Sequence, residues 1–134
     1  MKTLKSQNGF TLIEVMITMV VMAAALLSVL TANAMVSQTS EGAYQRLVAI
    51  QDANQIIERM RNTAATGTFP GNVTAVYPNG GTVAGFTSLT NETVTVAYVS
   101  AVTNPLNVTV TVNYLENGRR AANTALRSII TQRT

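Results

Sequence analysis

Histidine and cysteine are absent from the 134 residues, and aspartate occurs once, at Asp52. Those absences exclude a zinc site, a Cys or His nucleophile system, a haem ligand and a disulfide scaffold. Charge is scarce as well: 11% of the residues are charged, against roughly 25% in an ordinary soluble domain. Nine basic and six acidic side chains give a formal charge of +3. Lys2 and Lys5 supply two of the nine, which leaves no electrostatic footprint for nucleic acid. The lack of cysteine fits any redox compartment. Proline first occurs at Pro70, and Gly42 is the sole glycine between Gly9 and Gly67, so nothing breaks a helix over that stretch.

What is present is an apolar run. Phe10 to Leu30 is 21 residues with one ionisable side chain, Glu14, long enough to cross a bilayer, which takes about 20 residues. A secretory signal places a small-residue cleavage site after a shorter apolar core. Here the basic stretch Met1–Gly9 runs straight into the apolar segment, and no Ala-x-Ala follows. Positive residues ahead of the span predict a cytoplasmic N-terminus and an exported C-terminal part.

Glu14 is the anomaly in that span. An acid inside an apolar membrane helix costs about 2.5–3.5 kcal/mol, so it needs compensation. Nothing basic lies within two helical turns of it. Protonation, a neighbouring chain, a new α-amino group made by nearby cleavage, or a position close enough to the interface to snorkel would each serve.

Gly9-Phe10-Thr11-Leu12-Ile13-Glu14-Val15, after a short basic leader and before an unbroken apolar helix, resembles the processing motif of the type IV pilin superfamily. The resemblance implies that a prepilin peptidase cuts between Gly9 and Phe10 and that the new terminus, Phe10, is N-methylated. It also implies that Glu14, fifth in the processed chain, neutralises the terminal amine of an adjacent subunit during assembly. Many major pilins carry a Gly and then a Pro in the apolar half, where this chain has Ala23 and Thr31. That departure favours a minor pilin or a pseudopilin.

From Val36 onward the pattern becomes amphipathic. Val36, Ala43, Leu47, Ile50, Ile57 and Met60 recur at helical spacing, with Gln38, Glu41, Gln45, Gln51, Asp52, Gln55, Glu58 and Arg59 on the other face. One helix is predicted from about residue 10 to 62, stopping before Gly67. Ala, Gln and Asn at intervening positions make a poor coiled-coil seam, so the stripe is expected to dock on a small sheet. Glu58 and Arg61 are placed to pair at i,i+3. The run Ala53–Asn62 also resembles the segment found at this place in PilV-type minor pilins.

Beyond Asn62 the composition turns to Thr, Val, Asn and Gly, favouring strands and turns. Residues 63–90 read as loops with short strand pieces, Thr93–Val102 as a strand broken before Pro105, and Val108, Val110 and Val112 as a half-buried strand. Asn117-Gly118 marks a hairpin, and Thr124–Gln132 a last strand with Leu126, Ile129 and Ile130 supplying apolar contacts. Three Asn-x-Thr triplets, at Asn72, Asn91 and Asn107, are expected by chance in a chain with 20 threonines. After Arg61 the acids are Glu92 and Glu116, too few for a calcium loop of six to eight oxygens. Arg119, Arg120, Arg127 and Arg133 are expected to guard strand edges.

The expectation is therefore an α+β pilin fold, one long N-terminal helix packed on a small antiparallel β-sheet. Its parts are a leader (1–9), a transmembrane and assembly half (10–30), an amphipathic half (31–62) and an exported β-rich domain (63–134). The resemblance implies a structural minor subunit of a type IV pilus, held in the inner membrane by a single pass and then built into a surface fibre. The alternatives are a minor pseudopilin of a type II secretion system, or a minor pilin for DNA uptake or cell adhesion. The implied partners are other pilin subunits, the prepilin peptidase and the inner membrane, with nucleic acid not expected. No catalytic residue, metal or cofactor is expected, since the exported part offers no base, metal cluster or activated nucleophile.

Overall fold

The computed structural model describes residues 10–132; Arg133 and the leader residues lie outside them. The chain divides into two compact units, with the boundary between Thr39 and Ser40. A continuous helix, α1 (Leu12–Ala64), contributes to both.

Among its described residues, the first unit is helix from Leu12 onward. Every residue from Phe10 to Thr39 is exposed, including Leu12, Val20 and Leu30, and one stretch has a mean hydropathy of 2.4. An apolar surface this large and contiguous requires a membrane or a protein partner to cover it.

The second unit holds the core. It comprises α1 from Ser40, a short helix α2 (Gly71–Val76) and the strands β1 (Thr82–Val83), β2 (Thr93–Tyr98), β3 (Leu106–Glu116) and β4 (Arg120–Ile130). The strands form one antiparallel sheet in the order β1-β2-β3-β4, so the architecture is the expected α+β arrangement. Strict alternation makes β3 the centre: Leu106, Val108, Val110, Val112 and Tyr114 are buried on one face. Cross-strand register aligns Val110 with Val96 on β2 and Leu126 on β4, so apolar side chains form rows on the inward face. Each such buried aliphatic side chain contributes roughly 1.5–3 kcal/mol. The β3–β4 turn uses Asn117 and Gly118 at φ +51° and +67°, a region that favours these residues.

Several expectations are corrected. The helix face that meets the sheet comprises Gly42, Ala49, Asp52, Ala53, Ile56, Ile57, Met60 and Ala64, whereas Val36, Ala43 and Leu47 are exposed and Ile50 is half-buried. The seam mixes small residues (Gly42, Ala49, Ala53, Ala64) with Ile56, Ile57 and Met60, while Leu47 and Tyr44 stand on the solvent side. Asp52, expected on the polar face, is buried. The segment after α1 contains the short helix α2, whose six residues are too few to show a helical period in sequence. Strand β2 ends at Tyr98 instead of Val102, and β4 begins at Arg120 and leaves Ile129 exposed while burying Ile130.

Candidate assembly site

The site begins at the first turn of α1. Thr11 carbonyl oxygen accepts the backbone N–H of Glu14 (3.0 Å) and of Val15 (3.3 Å), which starts the helix just after Phe10. Glu14 therefore lies in the first turn, where the helix dipole favours a negative charge by about 0.3–1 kcal/mol. Phe10 is 78% exposed. Gly9, and with it the bond expected to be cut, lies outside the described residues.

Four hydroxyls further along this helix are satisfied within it. Thr18 Oγ1 donates to the Val15 carbonyl (2.8 Å), Ser28 Oγ to Ala24 (2.9 Å), Thr31 Oγ1 to Ser28 (2.9 Å) and Thr39 Oγ1 to Met35 (2.9 Å). Back-bonding of this kind hides a hydroxyl that would otherwise need water. Within the apolar half, Glu14 is the one ionisable group, and the helix supplies it no cationic partner.

The second unit carries the remaining candidate residues, dispersed. Arg119, Arg120 and Arg127 are exposed on the last hairpin, with Arg127 on the edge strand β4, where a charge discourages further strand pairing. Arg61 pairs with Glu58 and also donates to Ser128 Oγ at 3.2 Å. The pair is exposed on both sides and contributes little. Asn72 is committed to structure: its Nδ2 donates to the carbonyls of Thr63 (2.5 Å) and Thr66 (2.7 Å) at the end of α1. Among the described residues no three His, Cys, Asp or Glu side chains gather as metal ligands.

One juxtaposition was not legible in the sequence. Asp52 on α1 meets Glu92, which lies in the loop between β1 and β2. Burial, and then the hydrogen bond and charge of Asp52, raise the Glu92 carboxyl above its ordinary value, opposed by the backbone amides of Leu89 and Ser88. The available signal was the position of Asp52, one turn from Ala49 and Ile56 and next to Ala53 on the buried face.

Residues 4–30 match the family described as the prokaryotic N-terminal methylation motif, about a fifth of the chain. No curated protein and no solved structure matches this chain. The motif, together with a long apolar helix and a four-stranded antiparallel sheet, supports a type IV pilin-like or pseudopilin protein. It implies processing by a prepilin peptidase, membrane anchoring before assembly, and assembly with other pilins.

Proposed function

We infer that the chain is a structural minor subunit of a type IV pilus, cut between Gly9 and Phe10, methylated on Phe10 and built into the fibre through its apolar helix. The observation that carries this reading is the methylation motif set directly before a helix that is apolar and exposed on every side. Ala23 and Thr31 stand where major subunits resemble one another in carrying Gly and Pro, which favours a minor role. The segment Ala53–Asn62 adds its resemblance to PilV-type chains. Assembly in this scheme is a packing reaction: lateral helix contacts supply the area, and Glu14 meeting the terminal amine of an adjacent subunit fixes the stagger.

Mass spectrometry of the N-terminal peptide, from sheared surface fibres and separately from inner membrane, tests the reading. A peptide beginning at methylated Phe10, present in fibres well below the main subunit, is the expected result. The same peptide confined to the membrane would instead identify a secretion pseudopilin. An intact Met1 in both fractions would remove the assembly scheme altogether.

A further inference from the structure

Two carboxyl groups in the second unit take no part in the assembly scheme. Asp52, on the sheet-facing side of α1, is 8% exposed, and its Oδ2 is buried with no hydrogen-bond partner. Glu92 accepts the Leu89 backbone N–H on Oε2 at 3.0 Å, while its Oε1 is buried and also lacks a partner. The two side chains lie within hydrogen-bonding reach of each other. Two ionised carboxylates cannot satisfy one another, because each only accepts. One proton placed between them turns that acceptor–acceptor contact into a short, charge-assisted O–H···O bond and removes one of two buried charges. We propose that Asp52 and Glu92 share a single proton, and that this proton latches the β1–β2 loop onto α1.

The surroundings leave the proton as the means of neutralisation. On α1, Arg59 is placed over the Phe86 ring, 5.3 Å from its centroid, and so holds the same loop by a contact that does not titrate in this range. Glu58, also on α1, is engaged by Arg61, the one salt bridge among the described residues. From β3, the Leu115 N–H donates to the Thr90 carbonyl at 2.9 Å. The next residue, Glu116, lies against Gly42, about 15 Å along the helix from Asp52 at 1.5 Å per residue. Within the loop, the amides of Ser88 and Leu89 favour ionised Glu92 but only partly offset burial and the neighbouring Asp52, which hold the proton on Glu92. Arg46 on α1 and the hairpin residues Arg119 and Arg120 are exposed and form no salt bridge to either acid.

The direction with pH follows. Glu92 titrates above its ordinary value of 4.5 in the folded chain, so the latch is fully present below that value. It is lost as pH rises through the folded-state titration of Glu92, when its carboxyl no longer has a proton to donate to Asp52. The loop then retains Arg59–Phe86 and Leu115–Thr90 but loses its middle tether.

The test is amide hydrogen exchange on the full chain in detergent micelles, corrected for intrinsic exchange, at about pH 4.5 and about pH 8. Protection at Leu89 and its loop neighbours is expected to fall severalfold at the higher pH, while the amides of Val108, Val110 and Val112 stay unchanged. Asp52→Asn, which supplies a permanent donor, is expected to abolish the pH dependence; Glu92→Gln, on the exposed-loop side, should do the same. Loop protection that is independent of pH in the wild-type chain would overturn the proposal, whether or not either variant folds. So would an unaltered pH dependence in Asp52→Asn or Glu92→Gln. Full restoration of protection at high pH by millimolar calcium would replace the shared proton with a bound cation.

Discussion

Glu14 and Gly42 show how single side chains are decided by magnitudes. The first-turn position gives Glu14 about 0.3–1 kcal/mol from the helix dipole, well short of the 2.5–3.5 kcal/mol that an acid costs in an apolar span. The shortfall, about 2 kcal/mol, is what a neighbouring amine would supply. Glu14→Ala is therefore expected to leave the chain processed and membrane-bound but poorly incorporated, as immunoblots of sheared fibres against membrane would show; normal incorporation would end the pairing idea. Gly42 lies in mid-helix, where glycine costs about 1 kcal/mol relative to alanine. A Cβ there would meet only the carboxylate end of Glu116, which can swing aside. Gly42→Ala should accordingly raise the urea midpoint, whereas Gly42→Leu, forced against the β3–β4 hairpin, should lower it. Tyr98 donates its hydroxyl to the Tyr77 carbonyl at 2.7 Å, and burial, with Tyr77 adding to it, pushes the phenol up to about 12. The linked stability is complete below the ordinary value of 10 and is lost as pH climbs toward 12. A spectroscopic alkaline titration should therefore show one tyrosine ionising only as the fold gives way.

Among elements, the C-terminal end of the core helix is tied down by a side chain from its neighbour. At the C-terminus of α1, Asn72 reaches back from α2 to bond the carbonyl of Thr63, which also accepts the Thr66 N–H, and that of Thr66 in the turn just beyond the helix. Each such bond is worth about 1 kcal/mol net. Asn72→Ala should thus destabilise the second unit by about 1–2 kcal/mol, read as a lower urea midpoint with an unchanged slope. Strand β3 was legible in sequence because Val108, Val110 and Val112 alternate with polar residues, a period that only a half-buried strand produces. The helix stripe was misjudged because hydrophobicity was weighed by size. Leu47 and Val36 score highly yet are exposed, while Gly42, Ala49 and Ala53 are buried beside the expected Ile57 and Met60. The partner of Asp52 lies 40 positions away in a loop, and no local pattern announces such a pairing. The apolar span and its motif were read directly, since both are local and contiguous.

At the scale of the whole molecule, every buried residue among those described lies beyond Thr39. The first unit adds no side chain to the core, so its stability as a helix depends on what surrounds it. A chain beginning at Ser40 retains Ala49 through Ile130 and is expected to be soluble and to unfold in one cooperative urea transition seen alike by far-ultraviolet dichroism and tyrosine fluorescence. Non-coincident transitions would show that residues before Ser40 are needed for the fold.

The internally bonded hydroxyls of the first unit have a consequence for turnover. An unsatisfied hydroxyl entering hydrocarbon costs several kcal/mol, yet Thr18, Ser28 and Thr31 carry their acceptors with them. Moving this helix from lipid into a bundle of similar helices exchanges one apolar neighbour for another, with lipid tails about as apolar as leucine. Solvation then favours neither side strongly. Such a transfer is close to thermoneutral and can be run in either direction by a modest external force, with the Glu14 contact as its main bias.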